Sequence, residues 1–426
     1  MIKNVCHYTA QMEYVGGIES VIRQLYPIFA AHGVQCWTAC ELGNAKGLPN
    51  DSVETFKSGD RCEQWDRFLE KHPTDVVILH YVVSETLSQE IVHLKGKGVK
   101  CIRAMHSSFP SAMLLNGEER FLEKAYFDAK LCENVVTVSE LDARWWRALG
   151  LKAVHVQNPF VHPSKSVETI RRRGEDGAAN LLWVGRLCEP KQPKAALAAF
   201  ARAARACPGI SLTMVGGSAQ GNKKMSRLAK KLHVQDKVTF INARQDIEDL
   251  WAKADVHLLT SITESFCLVI AEAKAHGIPT LMFDVPFLEL TQSGAGVVKV
   301  PQGDIDRMAQ AIVNLTKDES LRSKLGLEAR NSLVEFNETA VWKSWENAFD
   351  IVEGSAALPE TPDAEKLLVE QVYFAWHRYC DKNLWAVRMA EHWQLLTRAS
   401  MRPLAYILEG VVGMIRRLKG FGRRIK

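Results

Sequence analysis

The strongest constraint in this chain is a pattern that occurs twice: short apolar runs alternating with longer helical stretches. The first set of runs is Asn4–Tyr8, Gln35–Ala39, Val76–His80, Lys100–Met105, Asn134–Ser139 and Ala153–Gln157. The second is Asn180–Gly185, Ser211–Gly216, Lys237–Ile241, Asp255–Thr260, Pro279–Phe283 and Gly296–Val300. Strands that are apolar throughout belong to parallel sheets covered by helices on both faces. The expected class is therefore α/β, with two doubly wound, Rossmann-like parallel-sheet domains. Pro159–Gly177 is polar, charged and poor in apolar residues, which places a linker at 161–177. It separates a first domain, 1–160, from a second, 178–355. Two prolines in Leu358–Asp363 break the pattern, so 356–426 reads as a helical appendage. Such sheets bind ligands beyond the carboxyl ends of their strands, so the expected site is a cleft between the domains.

A chain of 426 residues exceeds what one core usually holds, in keeping with two domains. No run of 18 apolar residues occurs, so no transmembrane helix is expected. Met1-Ile2-Lys3-Asn4 leads straight into a strand-like run without the apolar core of a signal peptide. The ten cysteines are scattered and never spaced C-x-x-C, as in a cytoplasmic protein with reduced, mostly buried thiols.

Chemistry concentrates in Thr260–Thr280, which carries Glu264 and Glu272 eight residues apart. On one helix, eight steps of about 100° would leave them roughly 80° apart. They converge if Glu264 lies in a loop and Glu272 lies within the helix that follows. Both then look into one cleft, beside the amides of Phe266, Cys267 and Leu268 at the helix start. Such an end favours phosphate, and flanking carboxylates suit sugar hydroxyls. Taken alone, the pair fits equally a helix-dipole charge and an exposed helix residue. A second phosphate-type element lies upstream, where Gly185, Arg186 and Lys191 follow an apolar run and precede a helix. Two cations in one loop can clamp a diphosphate. Gly16 and Gly17 open the first helix and allow close backbone approach to an anion.

Gly185-Arg186-Leu187 with Lys191, then Glu264-x7-Glu272 followed by Gly277-Ile278-Pro279, resembles the donor half of family 4 retaining glycosyltransferases of the GT-B fold. The resemblance runs from about residue 2 to about residue 350 and is stronger in the second half. It implies that Arg186 and Lys191 hold a nucleotide diphosphate, Glu272 binds ribose hydroxyls and Glu264 contacts the transferred sugar. It also implies that the Gly16-Gly17 loop faces the diphosphate from the opposite domain and that His106 lies near the donor sugar. Ser139 and Asn158 match strand-end positions, though a helix cap or turn former fits them as well. His7 and His80 also end strands and read as structural.

The family resembled uses such sites to move a sugar from a nucleotide-sugar donor to an acceptor hydroxyl with retention, as in bacterial surface polysaccharide and lipopolysaccharide assembly. The expected acceptor is lipid-linked or a surface polysaccharide. No cofactor or metal is expected, because the only D-x-D, Asp304-Ile305-Asp306, reads as a helix-capping pair. Four positions depart from the family pattern. Gln192 and Cys267 stand where glycine is usual, Asn242 stands at another glycine turn, and Val215-Gly216-Gly217-Ser218 lacks an acidic neighbour. Two alternatives stay open: a non-catalytic GT-B partner subunit, and another GT-B enzyme such as a nucleotide-sugar epimerase or a phosphorylase.

From Leu404 the apolar residues Ile407, Leu408, Val411, Ile415 and Leu418 recur at helical spacing. Arg416, Arg417, Lys419, Arg423, Arg424 and Lys426 follow without an acid among them. An amphipathic, basic end of this kind lies on anionic membrane surfaces, which suggests peripheral attachment to the inner face of the cytoplasmic membrane through 404–426. A helix packed on the first domain is the structural alternative. No basic-aromatic motif accompanies the tail, so nucleic acid is not an expected partner.

Overall fold

The computed structural model describes residues 2–13, 16–43, 47–49, 52–80, 86–109, 121–160, 178–244, 246–285, 288–291 and 295–363. The expected linker at 161–177 and the basic tail at 404–426 therefore lie outside the described residues. The first sheet comprises β1 (Asn4–Gln11), β2 (Gln35–Leu42), β3 (Val53–Thr55), β4 (Val76–Leu79), β5 (Lys100–Met105), β6 (Asn134–Thr137) and β7 (Ala153–His155). The second comprises β8 (Asn180–Val184), β9 (Ser211–Gly217), β10 (Val238–Asn242), β11 (Val256–Leu259), β12 (Thr280–Phe283) and β13 (Val297–Val300). Strand orders are β3-β2-β1-β4-β5-β6-β7 and β10-β9-β8-β11-β12-β13. The pairings are parallel in both.

Each order winds outward one way from the first strand and then the other, the doubly wound arrangement. The switch points fall between β1 and β4, and between β8 and β11. All twelve expected strands are present, and β3 is an addition. Its three residues, Val-Glu-Thr, lie at the sheet edge without a fully buried position, so they leave no apolar run to read.

The helices on the first sheet are α1 (Gly17–Ala31), α2 (Arg61–Lys71), α3 (Leu87–Gly96), α4 (Phe121–Leu131) and α5 (Glu140–Ala148). Those on the second are α6 (Pro193–Ala206), α7 (Ala219–Lys231), the single turn α8 (Glu248–Trp251), α9 (Leu268–Ala275), α10 (Ile305–Lys317) and α11 (Glu319–Asn331). Helix α1 ends at its C-cap His32, and Gly33 follows in the left-handed region at φ 75°.

One helix changes partners. Residues in α12 (Glu338–Glu353) are grouped by sequence with the second domain, yet they pack on the first sheet. Trp345 and Phe349 join Val5, Leu25, Phe29 and Val154 in one buried cluster, with ring centroids 5.6 and 5.7 Å from Phe29. Burying two such aromatics contributes on the order of several kcal/mol and ties the two sheets together. The nine cysteines among the described residues are unpaired, and most are buried or nearly so.

Candidate active site in the interdomain cleft

The expected site residues fall on loops at the two switch points. At the β8 exit, the Gly185 amide donates to Val215 O at 2.9 Å. Gly216 sits at φ 115°, and a Cβ added there would lie 2.3 Å from Gly185 O. The two backbones touch, so glycine at 216 is required twice over, by conformation and by space. The chain then turns through Glu189–Lys191, and Pro193 occupies the first turn of α6. Thr260 Oγ1 accepts from Trp183 Nε1 at 3.1 Å and reaches Lys191 O at 2.9 Å. The Ile262 amide donates to Pro190 O at 2.8 Å. These bonds stitch the loop after β11 to the loop after β8.

That stitching brings Lys191 Nζ to 2.6 Å from Glu264 Oε1, with side-chain exposures of 22% and 8%. Burial alone would pull the lysine's pKa down, but the Glu264 carboxylate outweighs it and holds the pKa above the ordinary value. Lys191 is thus a fixed cation. Glu264 lies in the loop and Glu272 lies within α9, the arrangement read from their spacing. Both carboxylates are close enough to Cys267 to add to the burial that keeps its thiol protonated. Burial pushes Glu272 up to about 7, offset in part by the Trp251 indole.

The two departures from glycine occupy the backbone conformation that glycine serves. Gln192 is left-handed at φ 47° and ψ 49°, and Cys267 at φ 65° and ψ 72°. Non-glycine residues held there cost about 1–2 kcal/mol each. Asn242 is not such a case. It ends β10 at a register shift, without positive φ, and its side chain accepts from Asn222. Arg244 is engaged by Asp249.

The opposite wall comes from α1. A Cβ on Gly17 would lie 3.4 Å from Leu268 Cδ1, so the starts of α1 and α9 face each other. Glu19 curls back over Gly16, where an added Cβ would come within 2.2 Å of its Oε2. Burial raises the Glu19 pKa, opposed by its own amide, Gln11, Arg23 and Arg186. Arg186 is exposed at the loop tip and electrostatically coupled to Glu19. Each cation of the expected diphosphate clamp therefore has a carboxylate neighbour. Glu19 is a site residue that no motif named above includes; its signal in the sequence is an acidic residue three positions after Gly16.

His106 follows β5, and its carbonyl accepts from Ser265 Oγ at 2.6 Å, beside Glu264. His80 Nδ1 lies 2.8 Å from His106 Nε2, and His7 Nδ1 lies 2.9 Å from His80 Nε2. The three rings form one chain. Ser139 takes the capping alternative: its Oγ accepts from the Asp142 amide at the start of α5. Asn158 lines a crevice with Gln24, Ile28, Phe336 and Asn337. Phe266 is buried against Val138 and Phe160 of the first domain, so its side chain packs. Asp304 caps α10, and Asp306 pairs with Arg202 at 2.6 Å.

Two doubly wound sheets, with a polar cleft at both switch points and two helix starts facing across it, define a GT-B fold. Residues 168–332, most of the second domain, match the model of the family described as glycosyl transferases group 1. The exopolysaccharide phosphotransferase SCO2592 of Streptomyces coelicolor is 28% identical over 322 residues, 73% of this chain and 33% of that protein. The D-inositol 3-phosphate glycosyltransferase of Mycobacterium marinum is 30% identical over 224 residues, 48% of this chain and 46% of that protein. The chain thus spans less than half the length of these relatives. The crystal structure of Anabaena Alr3699/HepE in complex with UDP-glucose aligns with a TM-score of 0.67 at 16% identity, over 82% of this chain and 99% of that one.

Proposed function

We propose that this protein is a glycosyltransferase that moves a sugar from a nucleotide-sugar donor to an acceptor hydroxyl. The observation that carries this reading is the half-buried Lys191–Glu264 pair at a cleft where the starts of α1 and α9 converge. A departing nucleoside diphosphate needs preorganised positive charge, which Arg186, Lys191 and the helix-start amides supply where the leaving group would form. Glu272 fits ribose hydroxyls, and Glu264, held by Lys191, fits the transferred sugar. The UDP-glucose complex of the Anabaena protein supports a nucleotide-sugar donor.

The reaction needs no metal in this reading and retains anomeric configuration, the acceptor hydroxyl attacking the face the leaving phosphate departs from. The acceptor is a lipid-linked or surface glycan, a class supported by the name of the Streptomyces relative. That relative is named for phosphotransfer, but two-thirds of its length lies outside the match. The basic residues 404–426 attach the protein to an anionic membrane face. Co-sedimentation with anionic vesicles tests this, and equal binding by a chain ending at residue 403 would refute it.

The transfer itself is tested by proton NMR of the product formed from a matched donor with EDTA present. Retained configuration is expected. Inversion, or a strict metal requirement, would refute the mechanism.

A further inference from the structure

The His7–His80–His106 chain runs from the middle of β1 to the cleft and has no function in the site as described so far. His7 and His80 are buried, whereas His106 is half-buried beside the interdomain contact to Ser265. Burial holds His7 at about 3 and, with Arg103 adding to it, His106 at about 4. Burial lowers His80 well below the ordinary range too, reinforced by His106, His7 and Arg103. All three rings are therefore neutral near pH 7, and each carries one N–H.

Three neutral rings joined by two hydrogen bonds admit only two consistent polarities. In one, every ring is protonated on Nδ1. His7 donates to His80, His80 donates to His106, and His106 keeps its Nδ1–H free. In the other, every ring is protonated on Nε2 and the donations run backwards. The two differ at the ends. His7 Nε2 is buried and has no hydrogen-bond partner. The second polarity would strand an N–H there, whereas the first leaves a lone pair, and orphaned buried N–H groups are the rarer of the two. A contact to a ring face does not rescue the donor. The rings packed around it, His80, Tyr26 and Phe29, lie only 39°, 30° and 32° from the plane of His7, far from the edge-on geometry such a contact needs. At the other end, His106 is half-buried beside the contact to Ser265, and its Nδ1 takes no partner among the described residues, so the proton there is unengaged.

We infer that His7 and His80 are positioning residues that lock His106 as a neutral Nδ1–H donor, aimed at a hydroxyl of the transferred sugar. The inference rests on the proposed transferase reading for its substrate, but not for its tautomer. An obligate donor discriminates between sugars, because a substrate lacking the matching hydroxyl leaves the N–H unpaired.

The test is ring-nitrogen NMR on protein labelled with 15N-histidine, with the His106 signals assigned by their loss in His106→Asn. The expected wild-type result is a proton on Nδ1 of His106. His7→Phe removes the donation to His80 and is expected to let His106 populate the Nε2–H form. His7→Asn, which can donate from nearly the same place, is expected to restore Nδ1–H. With UDP-glucose, UDP-N-acetylglucosamine and GDP-mannose as probes, His7→Phe is expected to lower sugar release about 10-fold. Affinity for UDP or GDP, which lack the sugar, should be unchanged.

An Nε2–H or doubly protonated His106 in the wild type would overturn the inference, as would a His106 tautomer indifferent to His7→Phe. Should His7→Phe not fold, loss of Nδ1–H in His7→Asn overturns it equally. If no nucleotide sugar binds the wild type, the transferase reading falls, while the tautomer measurement still decides this one.

Discussion

Glu272→Gln is expected to make the protein more stable and to weaken its hold on the donor, and the gain in stability must depend on pH in one direction. Burial raises the Glu272 carboxyl from 4.5 to about 7. A carboxyl whose folded pKa lies above its unfolded value binds protons more tightly when folded. It costs stability wherever it is ionised in both states, and that cost fades as pH falls to the unfolded pKa. A shift of this size integrates to roughly 3.4 kcal/mol at pH 8 and to roughly 0.8 kcal/mol at pH 5, as upper bounds. Glutamine carries no such cost. Its advantage should therefore be larger at pH 8 than at pH 5, by up to about 2.5 kcal/mol. Urea denaturation of the donor-free protein at both pH values, following the transition of the second domain, measures the difference. Over the same change, nucleotide-sugar affinity should drop roughly 10- to 100-fold, since a charged acceptor for hydroxyls is lost. Equal stabilisation at pH 5 and pH 8, or destabilisation at pH 8, would refute the reasoning.

Lys274 should show the opposite pH dependence. It is buried with Nζ 2.9 Å from Ser332 Oγ, and burial lowers its pKa from 10.5 to about 8. A lysine depressed in the folded state costs stability below that pKa, so Lys274→Met should stabilise by up to about 3 kcal/mol at pH 7. The gain should fall as pH rises from 8 towards 10.5 and be gone above it, where the lysine is neutral in both states; pH-resolved urea melts check this. Gly216→Ala meets the Gly185 carbonyl and a forbidden φ together, and should destabilise the second domain by about 2–4 kcal/mol in calorimetry. Removing Lys191 alone leaves the half-buried Glu264 unpaired, at a cost of about 1–3 kcal/mol. Lys191→Met with Glu264→Gln should recover at least 1 kcal/mol of the summed loss in a double-mutant cycle, and strict additivity would contradict a coupled pair.

The fold was legible because parallel strands must be apolar along their whole length. Val76–Leu79 and Thr280–Phe283 are fully buried, and such runs stand out. Edge strand β3 carries no such signal. The placement of α12 depended on which sheet had an open face for Trp345 and Phe349, which periodicity does not encode. In the site, the positions of Glu264 and Glu272 followed from their spacing across a strand–loop–helix junction. Gln192 and Cys267 did stand in left-handed conformations, as glycine-preferring positions would; Asn242 did not. The histidine chain was the chief omission. His7 lies on β1 while His80 and His106 directly follow β4 and β5, and they meet only because those three strands are neighbours in the sheet. Strand order, not local sequence, makes them one unit.

Arg186, Lys191, Glu264 and Glu272 together are proposed to form one nucleotide-sugar site. Calorimetric titration of the intact chain with a panel of nucleotide sugars in EDTA tests it most directly, with Glu272→Ala titrated alongside. Saturable binding of one donor, with slow release of its nucleoside diphosphate and loss of both in the variant, is the predicted result. A folded protein that binds none of the panel would contradict the claim and favour a non-catalytic subunit built on the same fold.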